Sequence, residues 1–97
     1  MIVGVLRVEL QLYSPQSLKE KRSIVRKILG RCRERFPVSC AETGLHDPWQ
    51  RAELGFCVVG SDDETFDSLF EKIEAEIERT GLAEICARSS DFLHYSE

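Results

Sequence analysis

The stretch Ile2–Arg35, IVGVLRVELQLYSPQSLKEKRSIVRKILGRCRER, decides the fold, because its hydrophobic period changes partway along. Over Ile2–Leu12 the period is two: Ile2, Gly4, Leu6, Val8, Leu10 and Leu12 share one face, and Val3, Val5, Arg7, Glu9 and Gln11 share the other. This predicts a strand with one face firmly buried. Tyr13-Ser14-Pro15 breaks it, and Ser17, with Glu20 three residues on, has the spacing of a capping box. From Leu18 to about Arg35 the period becomes helical, with Leu18, Val25, Ile28, Leu29 and Cys32 on one stripe.

Working outward, Phe36-Pro37 ends the helix and residues 38–42 read as a short strand. Gly44–Pro48 is rich in turn formers, and alternation returns over Gln50–Gly60. Ser61-Asp62-Asp63-Glu64 reads as a second helix start, its acids placed well for the macrodipole. Phe66, Leu69, Phe70, Ile73 and Ile77 form that helix's apolar stripe, and Gly81 is placed to end it. A last strand spans about Ala83–Tyr95, with Ile85 and Ala87 expected inward. The order is β-α-β-β-α-β. Its economical packing is an α+β, ferredoxin-like sandwich: two helices on one face of a four-stranded, mainly antiparallel sheet of order 4-1-3-2. One such domain accounts for residues 1–97.

Composition sets outer limits on function. The chain has 97 residues, 42% hydrophobic and 31% charged, with a net charge of −4, which is unlike a general nucleic-acid binder. Without a long apolar run or a leader-like start, a cytoplasmic protein that does not contact membranes is expected. A core this small leaves little room for a large buried cofactor, and none is expected. Cys32, Cys40, Cys57 and Cys86 form no CxxC and stand apart from His46 and His94. They therefore read as buried, reduced thiols, with no metal site.

The fold hosts many activities, so function has to come from residues. An RNA-recognition module needs aromatics on the open faces of its first and third strands, where this chain has Val3, Val5, Arg7, Glu9, then Glu53, Gly55, Cys57 and Val59. A soft-metal chaperone of this fold needs a CxxC loop after the first strand. Acylphosphatase chemistry needs a phosphate-cradling first loop and an Asn to orient water, yet that loop has no glycine and the chain has no asparagine. His46-Asp47 reads as turn chemistry. No enzyme activity is expected.

The charge is strongly segregated. Lys19–Arg35 holds eight basic residues against two acidic ones, and Asp62–Arg79 holds eight acidic against two basic. At ~100° per residue, Lys19, Arg22, Arg26 and Arg33 fall on one flank of the first helix, and Asp67, Glu71, Glu74 and Glu78 on the equivalent flank of the second. With right-handed crossovers the two flanks point away from each other, leaving Lys27, Arg31 and Arg35 to face Lys72, Glu76 and Arg79. The basic flank reads either as a solvated face, as a contact for RNA phosphates or an acidic protein, or as one end of a head-to-tail assembly. Lys21 falls inside the apolar arc, where it either snorkels out or pairs with a loop carboxylate such as Asp47. Trp49 either caps the core or forms, with Gln50 and Arg51, an exposed anchoring corner. Val3, Val5, Cys57 and Val59 make a small apolar patch on the open sheet face, a candidate homodimer interface.

Several segments resemble a known family. Ser17-Leu18-Lys19-Glu20-Lys21-Arg22, Phe36-Pro37-Val38-Ser39 followed by Ala41-Glu42, and Trp49-Gln50-Arg51-Ala52 with Leu54-Gly55 are similar to the YlxP-like bacterial proteins, domain of unknown function 503. The likeness runs from Ile2-Val3-Gly4-Val5 to the end of the second helix. It implies a ferredoxin-like fold and, because the family's genes often lie among those for translation and ribosome maturation, a small cytoplasmic protein associated with RNA or ribosomes. The cysteines and His46-Asp47-Pro48 depart from the family pattern. Taken with the charge pattern, the expectation is a non-enzymatic accessory factor. It would touch structured RNA or a ribosomal particle through Lys19, Lys21, Arg22, Arg26 and Arg33, with Trp49 and Arg51 as anchors. The alternative is a homo-oligomeric module joined through the open sheet face, with room for a small ligand.

Overall fold

A computed structural model describes residues 1–96. Its elements are β1 (Ile2–Leu12), α1 (Leu18–Arg35), β2 (Ser39–Gly44), β3 (Arg51–Gly60), α2 (Phe66–Arg79) and β4 (Ala83–His94). The sheet order is β2-β3-β1-β4 with every neighbouring pair antiparallel, which is the expected 4-1-3-2 arrangement. Both helices cover the face that carries Leu6, Val8, Leu10, Leu12, Leu54 and Phe56, all essentially fully buried. Val25, Ile28, Leu29 and Cys32 of α1 and Phe66, Phe70, Ile73 and Ile77 of α2 complete the core.

The start of α1 follows the capping logic with one shift. Ser17 is extended and its hydroxyl accepts from Glu20 N at 3.1 Å, while the Glu20 carboxylate accepts from Gln16 N at 2.8 Å, one residue ahead of the cap. The second helix starts later than its acids suggest. Asp62 Oδ1 accepts from Glu64 N at 3.1 Å, and this local turn competes with helix formation, so α2 begins only at Phe66. Its end is as expected: Gly81 has φ of 70° and donates to Glu78 O at 3.1 Å, a left-handed cap that glycine adopts without a Cβ penalty.

Two features escape local pattern. Gly4 occupies a core-facing strand position because a Cβ there would stand 2.6 Å from Phe66 Cδ2, so the missing side chain is what lets the Phe66 ring lie on the sheet. In β4 a bulge sets Glu9 opposite Ala87 but Leu10 opposite Ile85, leaving Cys86 as the extra residue. The bulge inverts the alternation. Ile85 faces the core, Ala87 is exposed on the open face, contrary to the simple alternation, and Phe92 becomes an inward residue. Phe92 packs edge-on against Phe66 (5.7 Å between centroids) and stacks with Phe70 (6.3 Å).

Candidate functional site

The outward flank of α1 lies over the sheet edge formed by β2. Arg33 shows this directly, since its Nη2 donates to Cys40 O of β2 at 2.7 Å. Lys19, Arg22 and Arg26, on the same flank, are exposed, and among the described residues they form no ion pair. The acidic flank of α2 overhangs the opposite edge. Glu74 accepts from Arg88 of β4 at 3.0 and 3.2 Å, and Glu78 accepts from Ile85 N at 3.4 Å. The two charged flanks are thus held over opposite edges of one sheet and cannot neutralise each other.

The inward flanks meet at one carboxylate. Glu76 is 1% exposed, and Arg31 donates to its Oε2 from Nη2 at 2.9 Å and from Nε at 3.2 Å. Arg79 donates to Oε1 at 2.8 Å, and Arg35 lies 3.5 Å from Oε2. Burial alone would raise the Glu76 carboxyl, but the Arg31 hydrogen bond and the charges of Arg35, Arg31 and Arg79 outweigh it and hold the group below its ordinary 4.5. A carboxyl depressed in the fold contributes stability that is complete above its unfolded value and is lost as pH falls through the lower folded one. Urea midpoints are therefore expected to fall once pH drops below about 4.5, and less steeply in Glu76→Gln.

Lys21 requires a correction. It is 1% exposed, its Nζ donates to Leu45 O and to His46 O (3.1 Å), and it pairs with Glu42 Oε2 at 3.3 Å. Buried, with two backbone carbonyls and one carboxylate around its ammonium, it is not available to RNA, and its charge partner is Glu42 of β2, not Asp47. Leu45 has φ of 56°, an uncommon conformation for a residue with a branched side chain, and Lys21 grips the carbonyl of that strained residue. The other end of the loop is held where Leu12 N donates to Gln50 O at 2.7 Å. Between these ties Trp49 is 46% exposed and outside the core, so it forms the exposed corner. Lys21 thus fixes that corner beside the first turns of α1.

Arg51 also departs from its expected role. It lies on the open sheet face opposite Gln11, and Glu9 takes its guanidinium. It therefore braces the sheet face and is not a free anchor next to Trp49. The rest of that face divides in two. Arg7, Glu53 and Thr43 form its polar half with the Arg51–Glu9 pair. Val3, Val5, Cys57 and Val59 (62% exposed) form the apolar half, which Leu93, opposite Val3 and 41% exposed, extends. The bulge in β4 is what brings Leu93 to this face. A hollow of about 330 Å³ opens at Gly55, between Val5, Ala41, Thr43 and Cys57.

The thiols separate into two kinds. Burial pushes Cys32 up to about 11 and also raises Cys40, so both stay protonated and serve as small apolar core residues. Cys57 is half-buried and Cys86 is exposed at the bulge, contrary to a uniformly buried set. Among the described residues no three His, Cys, Asp or Glu side chains converge as a metal site requires, and no helix is long and apolar enough to cross a membrane.

The chain is similar to known proteins at two levels. A designed protein with a ferredoxin fold superposes at a TM-score of 0.62 with 18% identity, covering 93% of this chain and 85% of its own. The structural-genomics protein YJCS superposes at 0.58 with 13% identity over 92% of this chain and 96% of its own. Likeness at those identities establishes the fold alone. In sequence, the Bacillus subtilis (strain 168) protein YlxP is 35% identical over 85 residues, covering 81% of this chain and 92% of that protein. Residues 3–89 match the family described as protein of unknown function (DUF503), and with the YlxP relationship this shows that the chain belongs to the YlxP-like DUF503 family.

Proposed function

We propose that this protein is a non-enzymatic cytoplasmic accessory factor that contacts structured RNA or a ribosomal particle through the outward flank of α1 and the Trp49 corner. The observation that carries the reading is that Lys19, Arg22 and Arg26 form no ion pair among the described residues and are exposed over one sheet edge, while Glu74 and Glu78 of the acidic flank overhang the other. These three cations span about 10 Å along the helix axis, enough to follow adjacent phosphates. Arg33 keeps further N–H groups for the same purpose beyond the one it gives to Cys40. Trp49, exposed in the loop that Lys21 ties to α1, supplies an aromatic surface without the sheet-face stacking that this sheet lacks.

Three or four phosphate contacts correspond to a fall in affinity of roughly 40- to 150-fold between 50 and 200 mM salt. Fluorescence anisotropy with a labelled RNA hairpin measures this slope. Affinity that ignores salt, or no binding at the lower salt, removes the reading.

A second reading rests on the apolar half of the open sheet face, where Val59 and Leu93 are exposed side by side around Val3. A second copy of the chain is the occupant it proposes, with the Gly55 hollow as room for a small ligand at the interface. Val59→Glu is then expected to convert a dimer to a monomer in sedimentation velocity and to leave RNA binding unchanged. A wild-type protein that is monomeric at high concentration sinks this alternative.

A further inference from the structure

The seam between α1 and α2 carries more positive charge than the fold requires. Arg31, with two hydrogen bonds to Glu76 Oε2, already supplies one full counter-charge for the buried carboxylate. Arg79 and Arg35 converge on the same group, and both side chains are more than half exposed. Lys72 lines the cleft with them, beside Phe36 and Ala75, around a volume of about 360 Å³. Among the described residues, neither the Arg35 Nη groups nor Lys72 Nζ makes a hydrogen bond, so several donors face the cleft unused. Cations in the last turns of the helices offset the helix dipoles, which accounts for Arg35 and Arg79 separately. It accounts neither for their meeting on one carboxylate nor for Lys72 in the same cleft.

We propose that this cleft binds a phosphate group, with Arg35, Lys72 and Arg79 as its contacts and the Glu76–Arg31 pair as the floor that positions the two arginines. Forked guanidiniums approaching from two helices suit a tetrahedral oxyanion with several acceptor oxygens better than a planar carboxylate, which one Arg satisfies. Fixing the donors before the anion arrives lowers the ordering cost of binding. The Glu76 charge does not repel the ligand, because Arg31 neutralises it from behind. The site is on the inner side of α1 and is separate from the Lys19–Arg22–Arg26 flank, so it stands whether or not that flank binds RNA.

The test uses the full chain and NMR of the arginine Nε–H signals, titrated with inorganic phosphate and, separately, with adenosine 5′-monophosphate, each at constant ionic strength. Saturable shifts of Arg35 and Arg79 with Kd on the order of 1 mM are expected. Equal affinity for the two probes assigns the site to free phosphate, and tighter binding of the nucleotide assigns it to a phosphate monoester, with Phe36 beside the base. Arg35→Gln and Lys72→Gln, both at exposed positions, are each expected to weaken binding roughly ten-fold, the loss of one charge-assisted hydrogen bond. Glu76→Gln, if it folds, is expected to weaken binding although every phosphate ligand is still present. Arg88→Gln, over the opposite sheet edge, is expected to leave the Kd unchanged. Shifts that grow linearly for both probes, or that survive Arg35→Gln and Lys72→Gln unaltered, overturn the proposal.

Discussion

Lys21→Met is expected to destabilise the fold by about 3 kcal/mol, a large share of the stability of a domain this size. Methionine retains most of the apolar stem, so the loss isolates the ammonium. Without it the Glu42 carboxylate, only 20% exposed, keeps among the described residues only His46 Nδ1, at 3.7 Å, as a basic neighbour. The carbonyls of Leu45 and His46 lose their donor at the same time, which removes the hydrogen bond that grips Leu45 at its φ of 56°. Chemical denaturation measures the cost, and a melting temperature lowered by roughly 12–20 °C is the thermal counterpart. Glu42→Gln in the same background should recover part of the loss, because it removes the charge that Lys21→Met leaves unpaired. A cost below about 1 kcal/mol would mean that this buried pair does not hold the corner loop.

The second large effect is on binding. Reversing Arg22 and Arg26 together to Glu is expected to weaken RNA affinity by at least roughly ten-fold and to reduce the salt slope by about 2, one for each phosphate that no longer has a cation beside it. The weakening should be the same for RNAs of different sequence, since phosphates carry no sequence information. Both positions are exposed, so stability should change by no more than about 0.5 kcal/mol. The informative control neutralises Asp67 and Glu71 on the opposite edge. That change makes the net charge more positive where the first makes it more negative, yet it should leave affinity nearly unchanged if the charge that matters is local to α1. Opposite responses in the two pairs, each in proportion to its change in net charge, would instead assign binding to net charge alone.

How much of this is legible in the sequence depends on whether the determining interactions are local. Ser17 and Glu20, the stripe from Val25 to Cys32 and the left-handed stop at Gly81 are short-range signals, and each element they define lies where periodicity puts it. The divergence of the two charged flanks is also readable, because helical phase and crossover handedness together fix which way a flank points. Apart from the late start of α2, which the local Asp62 turn causes, the failures are long-range. The bulge at Cys86 depends on how β4 meets β1, so simple alternation places Ala87 inward and misses Phe92 and Leu93. Lys21 stands out as a cation in an apolar arc, but its partner comes from β2, 21 residues away in the chain, and Asp47 of the following loop looks equally suitable. Arg51 looks like part of the Trp49 corner because the two are close in sequence. Strand pairing instead sets it across the sheet face from Glu9. Glu76 carries a signal that could have found the cleft: an acid flanked on its own helix by Lys72 and Arg79, facing a second helix whose inward residues are all basic.

Whether the basic flank of α1 meets RNA is tested most directly by co-sedimentation of the full chain with ribosomal subunits from its own host, at 50 and at 200 mM salt. Association with a subunit or its precursor is expected at the lower salt, much reduced at the higher, and absent at both for the variant carrying Arg22→Glu and Arg26→Glu. A protein that stays in the supernatant at both salts, or a variant that sediments as well as the wild type, would contradict an RNA-binding role for this flank.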